Sequence, residues 1–249
     1  MLEVSGLTVR FGGVTALHDA TFTVGDGSVC GLIGPNGAGK TTLFNCISRL
    51  AEPAAGRIRF DGTELLDKRA HEIAALGIAR TFQHLALVPA LSVRENVMLG
   101  AHHRHRSGFT AAALHLPKIG REERAMRADA DEALERVGLR DLAHRPVAGL
   151  AYGQLKRIEL ARALCERPRL LMLDEPASGL SHGEVDELID RLAGLGDLTL
   201  LIVEHHMGMV MRVCDQIVVL DFGQVIAAGK PEEVQRDERV VEAYLGAAA

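Results

Sequence analysis

Gly34-Pro35-Asn36-Gly37-Ala38-Gly39-Lys40-Thr41-Thr42 is the stretch that decides the fold of this 249-residue chain. It has the G-x-x-x-x-G-K-[ST] spacing of a phosphate-binding P-loop. A short apolar run, Val29–Ile33, precedes it and predicts a buried strand, whereas Leu43–Leu50 has the apolar spacing of a helix. Because a strand, a glycine-rich turn and a helix are the context that this motif requires, the sequence predicts a nucleotide-binding loop.

The residue types of this loop suit the binding of phosphate groups. Glycines let the backbone approach phosphate closely, and the N–H groups of the loop and of the helix N-terminus face the bound anion. Lys40 adds a positive charge for the β- and γ-phosphates of ATP, and the Thr41 hydroxyl can bind Mg²⁺. The predicted ATP-binding residues of the loop are Gly34, Pro35, Asn36, Gly37, Ala38, Gly39, Lys40, Thr41 and Thr42.

Composition argues against several other classes of protein. The chain has 28 Lys and Arg against 33 Asp and Glu, and its net charge of −5 disfavours a nucleic-acid binder with a broad basic face. The four cysteines are widely spaced, which disfavours a disulfide or zinc framework. No signal sequence is visible, nor an apolar run of the roughly 18 to 20 residues that a membrane span needs. We expect a cytoplasmic chain that reaches a membrane by docking on other subunits.

The order of predicted elements indicates an α/β fold. Alternating apolar residues within 2–33 and 57–60 indicate an antiparallel β region that flanks the P-loop. Three short apolar strands, Leu170–Leu173, Leu198–Val203 and Gln216–Leu220, alternate with helices. This alternation favours a P-loop core with a mostly parallel sheet that is covered by helices.

A mainly helical block interrupts this core. Ser92–Gly100 and Arg121–Val137 have helical periodicity, and Ser92 with Glu95 fits a capping box. We therefore predict one nucleotide-binding domain over residues 1–249. Its core spans about 1–91 and 155–249, and the inserted helical subdomain spans about 92–154.

Two adjacent carboxylates follow the strand that ends near residue 173. Asp174 and Glu175 lie at its carboxyl end, where open α/β sheets bind their ligands. Asp174 is placed to hold Mg²⁺, and Glu175 to orient or deprotonate the water that attacks the γ-phosphate. A strand that merely ends in an acidic turn is the alternative, which a preceding P-loop makes less favourable.

A third motif, Leu150-Ala151-Tyr152-Gly153-Gln154, precedes a helix predicted from about Leu155. With the P-loop and Asp174-Glu175, it resembles the ATP-binding cassette (ABC) family of transport ATPases, whose signature is usually L-S-G-G-Q. Ala151 and Tyr152 depart from that pattern. In this family the signature of one cassette caps the γ-phosphate held by another, so the resemblance implies a dimer. We expect the missing serine hydroxyl at Ala151 to weaken capping without abolishing it.

The same resemblance implies roles for three further side chains. Gln83 matches the Q-loop glutamine that can contact Mg²⁺ or the water, and His205 matches the switch histidine beside the γ-phosphate. Phe11 aligns with the aromatic residue that stacks on adenine. A surface glutamine, an exposed histidine and a core phenylalanine are the ordinary alternatives. Ser181 stands where the family commonly has aspartate, which leaves the coupling between the two sites open.

Other features resemble the ATP-binding subunits of bacterial branched-chain amino-acid importers (LivG type). These features are Arg80–Gln83, Phe11–Val14, the insert at 101–120, the variant signature and the ending Ala243–Gly246. The resemblance implies a subunit that powers import by ATP-driven dimer closure at the cytoplasmic face of the inner or plasma membrane. Its implied partners are transmembrane permease subunits, a second ABC ATPase subunit and, indirectly, a binding protein. Alternatives are another cargo (urea, amides or lipopolysaccharide) and a soluble cassette ATPase in an assembly process such as iron–sulfur cluster building.

Overall fold

The computed structural model of the chain describes residues 1–82, 85–104, 117–196 and 198–246. Gln83, which the sequence predicts to be a site residue, lies outside the described residues, and its role stays a prediction. The strands in chain order are β1 (Leu2–Phe11), β2 (Val14–Val24), β3 (Val29–Ile33), β4 (Ala55–Phe60), β5 (Thr63–Glu64), β6 (Ile78–Arg80), β7 (Leu170–Asp174), β8 (Thr199–Val203), β9 (Gln216–Asp221) and β10 (Gln224–Gly229).

The α-helices of the described residues lie between these strands or after the last of them. In chain order they are α1 (Lys40–Ile47), α2 (Ala70–Ile73), α3 (Val93–Met98), α4 (Pro117–Arg136), α5 (Tyr152–Cys165), α6 (His182–Ala193), α7 (Met207–Val213), α8 (Pro231–Val234) and α9 (Glu238–Gly246). Short 3₁₀ helices occupy Ala74–Leu76, Leu99–Arg104 and Arg140–Leu142. Within the described part of the chain, no helix has both the length and the apolar character that a membrane crossing requires.

The smaller sheet is the antiparallel region that the sequence predicts beside the P-loop. Its strand order is β2-β1-β4-β5, and β1 pairs in antiparallel fashion with both β2 and β4. Leu2, Val4, Leu7 and Val9 are all buried, because the pairing of β1 is irregular around Gly6, where φ is 62°, and this irregularity returns Leu7 and Val9 to the face that Leu2 and Val4 occupy. That face packs against the region around α1, where Leu43 and the other apolar side chains of the helix are buried.

The larger sheet carries the functional loops. Its strand order is β10-β9-β3-β8-β7-β6, and only β10 at one edge runs antiparallel to its neighbour. All five residues of β7 and of β8 are buried, as expected for central strands that helices cover on both faces. The α/β fold with a mostly parallel sheet is therefore confirmed.

Several helix boundaries differ from those that the sequence predicts. The helix predicted over Arg121–Val137 is α4, which begins at Pro117 and ends at Arg136. The helix predicted over Leu43–Leu50 is α1, which begins at Lys40 inside the P-loop and ends at Ile47. Arg49 has φ of 59°, a left-handed conformation that stops the helix before Leu50. The helix predicted from about Leu155 is α5, which begins at Tyr152 with Ala151 as its N-cap residue.

The helices α3, α4 and α5 form a packed group next to the larger sheet. Val97, Leu134 and Ile158 are fully buried within one shared apolar core. The predicted capping box of α3 is present, since Glu95 N–H donates to Ser92 Oγ at 3.3 Å and Ser92 N–H donates to Glu95 Oε2 at 2.8 Å.

Candidate nucleotide-binding and hydrolysis site

The topology of the larger sheet brings four sequence motifs to one edge. The strands β3, β8, β7 and β6 are consecutive neighbours and run parallel. Their carboxyl ends lead to the P-loop, to His205, to Asp174-Glu175 and to Thr81, respectively. Because parallel strands deliver their following loops to the same edge, motifs more than 100 residues apart in sequence share one site.

The P-loop conformation requires glycine at its two ends. A side chain at Gly34 would collide with the backbone oxygen of Leu220. Gly39 is the N-cap residue of α1 with φ of 106°, and an added Cβ would lie 2.6 Å from the Ala16 carbonyl oxygen. Between them, Asn36 and Gly37 are exposed, and Thr41 is exposed on the first turn of α1. The loop therefore presents its backbone and the N-terminus of α1 to solvent.

Lys40 is buried within this loop. Its Nζ donates to the carbonyl oxygens of Gly34 at 2.7 Å and of Pro35 at 2.8 Å. Burial lowers the pKa of the Lys40 ammonium, and the nearby carboxylates of Glu175 and Asp174 oppose that change. The positive charge of Lys40 therefore interacts with the negative charges of Asp174 and Glu175.

Asp174 is held from two sides and leaves one oxygen for the site. Its Oδ2 accepts a hydrogen bond from Arg80 at 3.0 Å, and its backbone N–H donates to Thr81 Oγ1 at 3.2 Å. Its Oδ1 is buried and receives no hydrogen bond from the residues that the structure describes. A buried carboxylate oxygen without a donor is the acceptor that a cation at this position would use.

Arg80 is a buried residue of the site that sequence reasoning missed. Besides Asp174, its guanidinium donates to Asn45 Oδ1 at 2.8 Å and lies 5.3 Å and 5.0 Å from the ring centres of Phe44 and Phe82. It therefore joins α1 to β7 at the start of the segment that contains Gln83. In the sequence, Arg80 was noted only as part of the Arg80–Gln83 stretch that carries the family resemblance. Its position three residues before Gln83 was the one signal that could have placed it at the site.

Glu175 and His205 meet at the site. His205 Nε2 lies 3.2 Å from Glu175 Oε1, and both side chains are partly exposed. Glu175 has φ of 49°, and its backbone is fixed because its N–H donates to the Val203 carbonyl at 2.9 Å. The adjacent His206 has a different task, since its Nδ1 accepts the Met209 N–H at the start of α7. The two consecutive histidines thus make different contacts, and the role of His205 in hydrolysis stays a prediction.

The remaining predicted nucleotide contact, Phe11, lies at the end of β1. Its side chain is 54% exposed, beside the turn that begins with Gly12. The core phenylalanine that the sequence left open as an alternative is therefore excluded, and an aromatic face is available to a ligand.

The signature begins α5 and contacts the segment that follows Glu175. Ala151 has no side-chain oxygen that could accept an N–H group of α5, but its own N–H donates to Gln154 Oε1 at 3.0 Å. Tyr152 is exposed and packs against Gly179, and Gly153 packs against the Glu184 side chain. Among the described residues, no hydrogen bond or ion pair joins the signature to the P-loop. Within the described part of one chain, the signature therefore packs against the segment that follows Glu175 and forms no hydrogen bond or ion pair with the P-loop.

The start of α6 explains why serine, and not the aspartate common in the family, can stand at position 181. Ser181 is the N-cap residue of α6, where its N–H and its hydroxyl donate to Glu184 Oε2 at 2.9 Å and 2.7 Å. An aspartate carboxylate could not donate the second of these bonds. Serine and Glu184 therefore form a matched pair at this position.

Comparisons with family models and with known proteins identify the family of this chain. A family model described as ABC transporter matches residues 17–178, and one described as branched-chain amino acid ATP-binding cassette transporter matches residues 224–249. Over 100% of its length and 98% of the relative's, the chain is 43% identical to the high-affinity branched-chain amino acid transport ATP-binding protein BraF of Pseudomonas aeruginosa. With the same coverage it is 39% identical to LivG, the corresponding protein of Escherichia coli strain K12.

Solved structures resemble the chain over its whole length. A nucleotide-free ATP-binding cassette from an ABC transporter has a TM-score of 0.85 at 31% identity, with 98% of each chain covered. The ADP conformation of an ABC transporter cassette has a TM-score of 0.86 at 31% identity, covering 99% of this chain and 98% of the other. The chain therefore belongs to the ABC transporter family. It is a nucleotide-binding ATPase subunit of that family, as its sequence motifs indicate.

Proposed function

We propose that this chain is the ATP-hydrolysing subunit of an importer for branched-chain amino acids. The assignment of branched-chain amino acids as the cargo rests on the match of residues 224–249 to the branched-chain amino acid cassette model. Full-length similarity to BraF and LivG supports the same assignment. The chain itself binds nucleotide and not the amino acid. Its task in this proposal is to convert ATP binding and hydrolysis into movement of membrane subunits.

In this proposal the P-loop holds the phosphates of ATP. The N–H groups of Gly34–Thr42 and the N-terminus of α1 bind the β- and γ-phosphate oxygens. Lys40 then exchanges its bonds to the Gly34 and Pro35 carbonyls for bonds to phosphate oxygens, which stabilises the ammonium in its buried position. The exposed ring of Phe11 stacks on adenine.

Glu175 is the proposed base of hydrolysis. Its carboxylate accepts a proton from the water that attacks the γ-phosphate, or holds that water in line. His205 contacts the same carboxylate at 3.2 Å and orients it when Nε2 carries the proton. Gln83 is the proposed third member of this group.

Mg²⁺ fits the donor set of the site. Asp174 offers the buried Oδ1 that lacks a donor, Thr41 offers a hydroxyl, and Gln83 offers an amide oxygen. These three residues would hold the ion together with phosphate oxygens, and the ion would neutralise charge on the phosphates during transfer. Oxygen donors of this kind are those that Mg²⁺ prefers.

The signature is proposed to act on a second cassette. Ala151 and Tyr152 are exposed at the N-terminus of α5, whose first N–H groups lack intrahelical acceptors and, among the described residues, are not bonded to the chain's own P-loop. When ATP is bound, two cassettes close so that each signature meets the γ-phosphate of the other, and hydrolysis reopens them. The second cassette is a different ATPase subunit or a copy of this chain.

The partners in the membrane are proposed to be permease subunits at the cytoplasmic face, to which a binding protein delivers the cargo. The helical subdomain of about residues 92–154 and the segment around Gln83 pass the closing motion to them. This division of the 1–249 cassette into a core and an inserted subdomain is part of the proposal.

Uptake of labelled leucine tests the proposal. Cells that lack this chain, and in which other leucine importers have been deleted, are complemented with the wild type or with Glu175→Gln. We expect uptake to be restored by the wild type alone, because the variant lacks the base. If both fail while labelled urea or amides are taken up in an ATP-dependent way, the ATPase assignment remains and the cargo is wrong.

A further inference from the structure

A buried carboxylate outside the proposed set of catalytic groups lies next to the Glu175–His205 pair. Glu204 follows β8 and is 3% exposed. Its Oε1 accepts the Ala177 N–H at 2.7 Å, and its Oε2 accepts the N–H groups of His205 at 2.9 Å and His206 at 3.1 Å. One side chain thus binds the backbone of two separate loops.

The two loops that Glu204 joins are those that carry the proposed hydrolytic groups. Ala177 lies two residues after Glu175, at the start of the segment that leads to Ser181. His205 directly contacts the Glu175 carboxylate. A second hydrogen bond joins the same two parts of the chain, since Glu175 N–H donates to the Val203 carbonyl at 2.9 Å. The positions of Glu175 and His205 are therefore fixed relative to each other through residues 203–204.

The pattern of donors requires a carboxylate at this position. Three N–H groups converge on two oxygens, and an ionised carboxylate accepts on both of them. A glutamine at position 204 would point its NH₂ group at one or two of these N–H groups, and the donors would face each other. Because the site is buried, the unpaired N–H groups would have no water to bind, and at least one loop would move.

We propose that Glu204 is a positioning residue for ATP hydrolysis, which holds residues 177–181 and the backbone of His205 as one unit. The inference rests on the proposed roles of Glu175 and His205. It adds that a displacement of residues 177–181, which adjoin the signature through Tyr152 and Gly179, displaces His205 as well. A movement of the signature against residues 177–181 would thereby change the positions of Glu175 and His205.

Glu204→Gln in the assembled transporter tests this inference. The matched control is Glu64→Gln, because Glu64 Oε1 also accepts two backbone N–H groups, from Ile58 at 3.1 Å and from Leu66 at 3.5 Å, but in the smaller sheet. We expect Glu204→Gln to lower kcat by about tenfold to a hundredfold, as small misplacements of reacting groups do. KM for ATP should stay within about twofold, because the P-loop is untouched.

Hydrogen exchange gives a second readout that does not depend on activity. In Glu204→Gln, amide exchange should rise together in residues 175–181 and 204–209, whereas Glu64→Gln should change neither loop nor kcat. Should Glu204→Gln fail to fold, Glu204→Asp keeps the charge one methylene shorter and should lower kcat with KM unchanged.

Two outcomes overturn the inference. One is a kcat for folded Glu204→Gln within about twofold of the wild type, which would mean that Glu204 only fills the interior. The other is faster exchange in a single loop. Glu175→Gln is measured alongside to distinguish a failure of this inference from a failure of the proposed function. Full turnover by Glu175→Gln would show that Glu175 is not the base, and the proposed function itself would then be wrong.

Discussion

Arg80 and Asp174 form an ion pair that is almost completely removed from water. The two side chains are 8% and 3% exposed, and their atoms are 3.0 Å apart. Taking two charges out of water is costly, so such a pair contributes little net stability, but the loss of one partner leaves the other as an uncompensated buried charge. Arg80 therefore matters to the fold through Asp174, in addition to its position at the site.

We expect Arg80→Met to lower the free energy of unfolding by about 3 to 5 kcal/mol, because Asp174 then loses its counter-ion. Urea denaturation measures this loss. Arg57→Met, which removes an exposed arginine from β4, should change stability by less than about 0.5 kcal/mol. The double variant Arg80→Met/Asp174→Asn should regain part of the loss, and a double variant as unstable as the sum of the single changes would contradict the account.

The N-terminus of α5 is the element at which the signature departs from the family pattern. Ala151 has the extended backbone of an N-cap residue, with φ of −62° and ψ of 150°, yet it has no side-chain oxygen for the first N–H groups of the helix. Only the Gln154 amide reaches back to the Ala151 N–H. The helix thus begins with an incomplete cap at the point that is proposed to meet a second cassette.

Ala151→Ser should restore this cap. We expect the free energy of unfolding to rise by about 0.5 to 1 kcal/mol, because serine Oγ accepts an N–H of the first turn. Ala128→Ser, at an exposed position inside α4, provides the control and should lower stability by a few tenths of a kcal/mol. Equal effects of the two substitutions in chemical denaturation would exclude a capping defect at residue 151.

Elements of this fold differ in how far the sequence predicts them. The strands β3, β7 and β8 were predicted to within a residue or so, because continuous apolar runs bounded by turns leave little choice. The start of α5 was missed by about three residues, since Ala151 and Tyr152 carry no capping signal. The family motifs located Glu175 and His205. The bonds of Arg80 and Glu204 were not predicted, because they join residues 94 and 27 positions apart.

The pH dependence of the whole fold has a contribution from Glu166, which follows α5. Burial raises the pKa of its carboxyl to about 7, and Arg162 only partly opposes this effect. In the unfolded chain the carboxyl ionises at its ordinary, lower pKa. The unfolded state therefore loses its proton first as pH rises, and the native state loses stability until the pH exceeds about 7.

Glu166→Gln should remove this contribution. Relative to the wild type, we expect the variant to gain about 1 to 2 kcal/mol of stability between about pH 5 and about pH 8, a value reduced from the full shift because the group is partly exposed. Denaturant unfolding at both pH values measures the difference. A stability difference that does not change with pH would show that Glu166 ionises normally in the native protein.

At the scale of the whole molecule, one feature of the topology determines the site. Four neighbouring parallel strands end at one edge of the sheet, and three of them lead to groups that we propose for ATP binding and hydrolysis, namely the P-loop, His205 and Asp174-Glu175. Binding and hydrolysis are assigned to different strand ends, with the P-loop after β3 and Glu175 after β7. A substitution of Glu175 should therefore lower hydrolysis and leave ATP binding, which distinguishes this account from a nucleotide-binding protein without catalysis.

Release of inorganic phosphate by the purified, reconstituted transporter tests this claim most directly, with the wild type and Glu175→Gln compared at saturating ATP. We predict that Glu175→Gln lowers turnover by about 10² to 10⁴, the usual contribution of a general base, while ATP affinity stays within about twofold. Turnover by Glu175→Gln equal to that of the wild type would contradict the account, because the group that the sheet delivers beside Asp174 and His205 would then have no part in hydrolysis.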